Sequence, residues 1–69
     1  MNDILKIKRI NAGFTQLQVA EKVGVTERGY RYYEADKRTP DAKTAIKIAK
    51  ALNTTVEELW GSSSQNFYH

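Results

Sequence analysis

The chain has 69 residues, no cysteine, one histidine at its last position and a formal net charge of +3. A chain of this length forms at most one domain, and the absence of cysteine excludes disulfides and thiolate metal sites. Because His69 is the only histidine, the commonest residue of acid-base and metal chemistry is missing elsewhere, and the sequence predicts a protein that is not an enzyme and needs no metal or cofactor.

Capping residues and glycines predict two helices in the first third of the chain. Asn2 can cap a first helix from about residue 3 to residue 12, and Gly13 ends it. Residues 15–18 (TQLQ) have the form of a capping box, so they open a second helix, which ends at Gly24.

Three further helices are predicted after Gly24. Thr26 can cap a third helix that runs to about residue 35, and Asp41 can cap a fourth with apolar residues at helical spacing. Asn53 can end the fourth helix in a left-handed conformation. Residues 55–58 (TVEE) match a second capping box and open a last short helix.

No strand pattern competes with these helices, so the predicted fold is all-α. The sequence predicts one domain over residues 1–60, a compact five-helix bundle, and a polar tail over residues 61–69 (GSSSQNFYH) whose composition is flexible.

The second and third predicted helices have the features of a helix-turn-helix unit. Ala20 has the small side chain that a close helix crossing requires, and Gly24 ends the second helix after two turns. Two helices that cross through a short turn with glycine form this unit. On the third helix, Tyr30 and Tyr33 are expected to pack on the second helix, whereas Tyr32 faces outward.

In order and spacing, these features resemble the phage-repressor/Cro type of helix-turn-helix family, also called the xenobiotic-response-element type. The matching residues are Arg9, residues 15–26 (TQLQVAEKVGVT), Glu34 with the basic loop and Pro40 after it, and residues 48–59 (IAKALNTTVEEL). The resemblance runs from about residue 4 to residue 60. It implies a lambda-repressor-like DNA-binding domain whose third helix enters the major groove.

By this resemblance, the outward side of the third helix contacts base edges. The predicted base-contacting residues are Glu27, Arg28, Arg31 and Tyr32. Arginine can pair with guanine through two hydrogen bonds, glutamate can accept from cytosine, and tyrosine can meet a thymine methyl group or a phosphate. A plain surface charge remains the alternative for the arginines, and Glu27 can instead stabilise the helix N-terminus.

The resemblance also implies contacts with the DNA backbone and one structural ion pair. The predicted backbone-contacting residues are Gln16, Thr26, Lys37, Arg38 and Thr39. The matching glutamine of the family holds a phosphate at a helix N-terminus, with a plain helix former as the alternative. A merely solvated loop is the alternative for residues 37–39. Arg9 and Glu34 match a pair that the family forms between helices 1 and 3, so Glu34 is structural.

Two positions depart from the family pattern. At Gly29 the family more often has a small hydroxyl residue, and an interior glycine lowers helix stability by about 0.5–1 kcal/mol relative to alanine. Close approach of the second helix or of the DNA backbone would explain Gly29. At Asp36 the family commonly has glycine, and aspartate tolerates the left-handed conformation less well.

The resemblance implies a homodimer, because one such domain contacts only a few base pairs and specific binding normally uses two copies on a palindromic operator. The candidate interface residues are Val56, Leu59 and Trp60, of which Leu59 is expected in the core and Trp60 on the surface. Ile7 and Ile10 form a second, weaker candidate patch.

The favoured function is therefore a sequence-specific transcriptional regulator, a repressor that binds double-stranded DNA and has no evident small-molecule ligand. With no signal peptide or membrane span in the sequence, a cytoplasmic, nucleoid-associated location is expected. An antitoxin of the same family, which represses its own operon and binds a toxin, is one alternative. A protein-interaction module that does not bind DNA is another. Tyr32 and the arginines could also stack on single-stranded RNA or DNA, but helix-turn-helix geometry argues against that interpretation.

Overall fold

The structure, a computed structural model, describes residues 2–61 and contains five helices in that range. They are α1 (Asp3–Asn11), α2 (Gln16–Val23), α3 (Glu27–Glu34), α4 (Ala42–Ala51) and α5 (Val56–Trp60). No strand occurs in this part of the chain. The predicted all-α, five-helix fold is confirmed, whereas the predicted tail, Gly61 apart, lies outside the described residues.

Each helix begins at the capping residue expected from the sequence. The side-chain oxygen of each cap accepts a hydrogen bond from a first-turn backbone N–H, at distances from 2.8 to 3.1 Å. An N-cap of this kind contributes about 1 kcal/mol to helix stability. The five caps are Asn2, Thr15, Thr26, Asp41 and Thr55.

Only one of the two predicted capping boxes is complete. At the start of α2, the Gln18 side chain accepts a hydrogen bond from the Thr15 backbone N–H at 2.9 Å. At the start of α5 the reciprocal bond is missing, because the Glu58 carboxylate accepts from the Thr54 hydroxyl at 2.5 Å and lies 3.8 Å from Lys8 Nζ. The prediction of the second capping box was therefore wrong for its Glu58 half, since other donors occupy the Glu58 carboxylate.

Left-handed backbone ends the helices where the sequence predicted it. Gly24 ends α2 with φ of 79°, Asp36 follows α3 with φ of 63°, and Asn53 follows α4 with φ of 57°. Aspartate and asparagine are the non-glycine residues that adopt this conformation most readily. The loop after α3 thus has the left-handed turn even though aspartate replaces glycine.

The core lies where α2 packs on α3 and α4 and where α1 packs on α3 and α5. Its largest fully buried side chains are Tyr30, Leu5, Ile48, Leu59 and Val19. Burial of an apolar side chain of this size contributes roughly 1.5–3 kcal/mol. Because both α1 and α2 pack against α3, its position is set by packing on two sides.

Trp60 is buried, so the prediction that it is exposed was wrong. Only 5% of its surface is accessible, and Leu59 beside it is 1% accessible. The short helix α5 packs against both α4 and α1, and both consecutive side chains belong to the buried core. A tryptophan buries 150–250 Å² when it packs, which favours this orientation over exposure.

Among residues 2–61, no helix has the length and apolar character that crossing a membrane requires.

Candidate nucleic-acid interface

A buried ion pair joins α1 to the C-terminal end of α3. Arg9 Nε donates to Glu34 Oε2 at 2.6 Å, and Arg9 Nη2 donates to Glu34 Oε1 at 3.4 Å. The two side chains are only 12% and 6% exposed. Arg9 Nη1 also donates to the Phe14 carbonyl at 2.9 Å, which ties the same guanidinium to the turn before α2. The ion pair expected from the resemblance is thus present and holds three elements together.

Two further side chains join this pair, and the sequence interpretation missed both. The Tyr30 hydroxyl donates to Glu34 Oε2 at 2.7 Å, and Gln16 Nε2 donates to Glu34 Oε1 at 3.1 Å. The spacing of Tyr30 and Glu34, four residues apart on one helix, is a signal that could have indicated the first bond. The second bond links helices that are distant in sequence, so no local signal exists for it.

The network sets the charge state of Glu34 and its neighbours. Burial by itself would raise the pKa of the Glu34 carboxyl, but hydrogen bonds from Arg9, Tyr30 and Gln16 outweigh it and hold the pKa below its usual value. The Glu34 hydrogen bond raises the pKa of Arg9, and burial followed by the Glu34 bond raises the pKa of Tyr30. The carboxylate is therefore ionised and the hydroxyl protonated at neutral pH.

Gln16, the first residue of α2, lies beside this network and has one side-chain N–H donor that the network does not use. Gln16 Nε2 carries two hydrogens, and Glu34 accepts one of them. The Gln16 side chain is half-buried, so its amide is held in place but remains accessible. Glu34 therefore orients a donor at the N-terminus of α2, where the backbone N–H groups and helix dipole favour anions.

The outer face of α3 is polar and basic, as the helical period predicted. Arg28, Arg31 and Tyr32 are exposed, whereas Tyr30 and Tyr33 on the opposite face are buried. The two buried rings meet edge to face, with centroids 6.3 Å apart. Packing of one face thus fixes which residues the other face presents to solvent.

Of the three exposed side chains on this face, two interact with neighbouring side chains, and the third has no such interaction among the described residues. Arg31 Nη2 donates to Glu27 Oε2 at 3.1 Å. The Arg38 guanidinium carbon lies 5.8 Å from the centre of the Tyr32 ring, within the range of a cation–π contact. Among the described residues, Arg28 has no hydrogen bond or ion pair with another side chain.

The loop after α3 extends the basic surface. Lys37, Arg38 and Thr39 are exposed, and the backbone N–H of Lys37 donates to the Tyr32 carbonyl at 2.9 Å. This bond and the Arg38 contact with Tyr32 hold the loop against α3. At the other end of the helix, Thr26 is exposed, and its hydroxyl oxygen accepts from Gly29, which leaves the hydroxyl hydrogen available for donation.

Gly29 does not mark a close approach of α2, so that explanation was wrong. A Cβ built at position 29 would lie 3.1 Å from Thr26 Oγ1 and within 4 Å of no atom of α2. The crowded neighbour is the capping side chain itself, which would have to shift by a few tenths of an ångström to admit the Cβ. Space inside the protein therefore does not require glycine here.

Gly29→Ala is expected to stabilise the domain by about 0.5 kcal/mol, because the free energy gained from helix propensity exceeds the cost of displacing the Thr26 cap slightly. For a domain of this size, thermal unfolding should show an increase of roughly 2–4 °C in Tm. A decrease would mean that the Thr26 cap cannot adjust. If DNA binding weakens while Tm rises, the glycine serves close approach to the DNA backbone.

Within residues 2–61, no group of three histidine, aspartate or glutamate side chains lies close enough together to hold a metal ion.

Comparison with known proteins identifies related sequences over most of the described residues. Residues 5–59 match the family described as Helix-turn-helix. The HTH-type transcriptional regulator ImmR of Bacillus subtilis (strain 168) is 37% identical over 57 residues, which is 83% of this chain and 45% of ImmR. The cryptic phage CTXphi transcriptional repressor RstR of Vibrio cholerae is 36% identical over 47 residues, which is 68% of this chain and 42% of RstR.

An archaeal protein shows a similar match. An uncharacterised HTH-type transcriptional regulator of Archaeoglobus fulgidus is 36% identical over 52 residues, which is 75% of this chain and 74% of that protein. The chain spans about half the length of the first bacterial relatives that it matches. No solved structure shows a significant match.

Proposed function

The chain belongs to the helix-turn-helix family, and from this premise we propose that it is a sequence-specific regulator of transcription that places α3 in the major groove of duplex DNA. The observation that carries the proposal is the division of α3 into a buried face of tyrosines and an exposed face with Arg28 and Arg31. The relative named as a transcriptional regulator supports regulation, and the one named as a phage repressor supports repression, in which the bound protein would occlude a promoter.

Base contacts are proposed for the exposed face of α3. Arg28 is the second residue of the helix, and its guanidinium, which has no side-chain partner within the described part of the chain, can form two hydrogen bonds with guanine. Arg31 and Tyr32 lie one turn further along, and Glu27 adjoins Arg31. These four residues form one patch, in which Arg28, Arg31 and Tyr32 can contact neighbouring base pairs and Glu27 lies beside Arg31.

Backbone contacts are proposed for the two ends of this patch. Gln16 offers its second amide hydrogen to a phosphate at the N-terminus of α2, with Glu34 holding the side chain in place. Thr26 offers its hydroxyl hydrogen. The loop residues Lys37, Arg38 and Thr39 supply charge and a hydroxyl beyond the C-terminal end of α3, where they would position the protein without distinguishing bases.

Selection from a pool of random duplex DNA tests this function directly. The expected result is enrichment of one short motif, and of two copies of it in two-fold symmetry. Binding of the selected duplex should weaken steeply with salt, because several phosphate contacts release counterions. Absence of any enriched motif, or binding that does not depend on salt, would contradict the proposal and favour a protein-interaction module.

Lys37→Ala is expected to weaken binding to all duplexes about equally, because a phosphate contact carries no information about the base. The slope of log K against log salt concentration should fall by roughly one unit. The measurement is a salt titration on the selected duplex and on a scrambled one. Lys50→Ala, which removes an exposed lysine from α4, is the matched control and should leave the slope unchanged. A changed base preference for Lys37→Ala would mean that the loop contacts bases.

A homodimer is proposed as the binding species, with a revised interface. Leu59 and Trp60 are buried within one copy and supply little free surface. One available apolar surface is a cleft of about 330 Å³ between α4 and α5, beside the 48% exposed Ile46 and the half-buried Val56. The α4–α5 cleft is lined by Thr39, Pro40, Ala42, Ala45, Ile46, Val56 and Trp60. Ile46 of each copy would pack into or beside the cleft of the other.

Ile46→Glu is expected to abolish dimerisation, because it places a charge in an apolar contact. Sedimentation should show only monomers, and cooperative binding to the symmetric duplex should be lost while a single half-site still binds weakly. Ile7→Glu on α1 is the control, since Ile7 is 53% exposed and lies outside the cleft. Should Ile7→Glu disrupt the dimer and Ile46→Glu leave it intact, the interface would be the α1 patch of Ile7 and Ile10 instead.

A further inference from the structure

The exposed face of α3 contains one carboxylate among its cations, and that carboxylate is already engaged. Glu27 is the first residue of α3 and Arg31 lies one turn later, with Glu27 Oε2 accepting from Arg31 Nη2 at 3.1 Å. The pair has the favourable order, acid before base at a spacing of four residues. The structure thus connects two residues that would otherwise be regarded as independent base contacts.

A direct base contact by Glu27 has one physical disadvantage, because its carboxylate would approach DNA phosphates of the same charge. Only Oε2 accepts from Arg31, so a contact of Oε1 with cytosine would expose the carboxylate to those phosphates even while it holds Arg31. When the carboxylate is paired with Arg31, the guanidinium balances its charge. The carboxylate also stays near the helix N-terminus, which favours negative charge. Pairing with Arg31 is therefore energetically more favourable for Glu27 than contact with a base edge.

We propose that Glu27 is a positioning residue for Arg31, so that specificity at the base pair contacted by Arg31 depends on the Glu27 carboxylate. This inference rests on the proposed function of α3. An arginine guanidinium carries five N–H donors, and Glu27 engages only one of them at Nη2, so the remaining donors can still pair with guanine O6 and N7. The ion pair also restricts the rotamers of a long side chain before DNA binds.

The carboxylate has a second effect, on the competition between base and phosphate for Arg31. A free arginine on this face can turn toward the DNA backbone, where it strengthens binding to every sequence alike. An arginine paired with Glu27 has a weaker net attraction to phosphate. Arg31 with Glu27 therefore contributes selectivity, whereas Arg28, which has no carboxylate partner among residues 2–61, contributes both selectivity and general affinity.

The first test is Glu27→Gln, which keeps the shape of the side chain and removes its charge. Preference at one symmetric pair of positions in the selected motif should fall about fivefold or more, which corresponds to the lower end of the discrimination by a two-bond arginine–guanine contact. Affinity for a scrambled duplex should rise, and the salt slope should increase. Glu57→Gln, which removes an exposed carboxylate from α5, is the matched control and should leave the preference unchanged.

The second test compares Arg31→Ala with the double variant Glu27→Gln/Arg31→Ala. If Glu27 acts only through Arg31, the two proteins should have the same base preference, since the positioned group is gone in both. A further change of preference at a second base pair in the double variant would show that Glu27 contacts a base itself, and would overturn the inference. Both side chains lie on the surface, so Tm should change little.

The two possible failures are distinguishable in the same experiment. If the wild-type protein selects a motif but Glu27→Gln has the wild-type preference, the positioning role is wrong and the proposed function stands. If the wild-type protein selects no motif, the proposed function fails and this inference fails with it.

Discussion

Arg9→Ala is expected to lower the free energy of unfolding by about 3 kcal/mol, the lower end of the range for breaking a buried ion pair from one side. The cost arises because Glu34 remains buried and charged without the guanidinium, while Tyr30 and Gln16 continue to donate to it. A domain this small has only roughly 3–5 kcal/mol in total, so a large part of the variant should be unfolded near 37 °C. Urea denaturation of both proteins measures the difference.

Two variants control this result. Lys8→Ala removes the neighbouring cation, which forms only a 3.8 Å surface contact with Glu58, and should change stability by less than about 0.5 kcal/mol. Adding Glu34→Gln to Arg9→Ala removes the unpaired buried charge and should recover part of the loss. An Arg9→Ala protein as stable as the wild type would show that the pair contributes nothing to the folded state.

The same pair predicts how stability depends on pH. Glu34 has a lower pKa in the folded protein than in the unfolded chain, where the ordinary value is near 4.5. Its contribution is therefore fully present above pH 4.5 and is lost as the pH falls through the lower folded pKa, because the unfolded chain then binds more protons. The stability difference between Arg9→Ala and the wild type should shrink over that acidic range, since a protonated Glu34 no longer needs the guanidinium.

Arg28→Ala is expected to weaken binding to the preferred duplex by about 1–3 kcal/mol, and far less to a duplex altered at the symmetric pair of positions that Arg28 contacts. The reason is the exposed guanidinium in the first turn of α3, which no side chain of residues 2–61 engages and whose donors match guanine O6 and N7. Titration of both duplexes with both proteins measures the loss and shows whether preference relaxes at that position.

Arg28→Lys separates base contact from charge. Lysine keeps the positive charge but lacks the planar pair of donors, so preference should weaken while the salt slope stays the same. Unchanged preference in the lysine variant would instead make Arg28 a phosphate contact. Arg31 and Tyr32 would then be the base-contacting residues of this face.

The helix caps and the left-handed helix ends were predictable from sequence alone. Thr15 and Asp41 cap their helices, and Asp36 and Asn53 adopt left-handed backbone, because each feature depends on residues no more than four positions away. The faces of α3 follow for the same reason, since a helical period of 3.6 residues places Tyr30 opposite the arginines whatever surrounds the helix.

Contacts between helices were not predictable in this way. Trp60 is buried because α5 docks on α4 at a particular angle, and the five residues of α5 have no period long enough to show it. Gln16 donates to Glu34 because packing brings the start of α2 to the end of α3, and Lys8 of α1 lies 3.8 Å from the Glu58 carboxylate because α1 packs against α5. Local sequence thus determined where helices begin, end and turn their faces, whereas tertiary packing decided which polar groups meet, because a hydrogen bond between helices requires the relative placement of both.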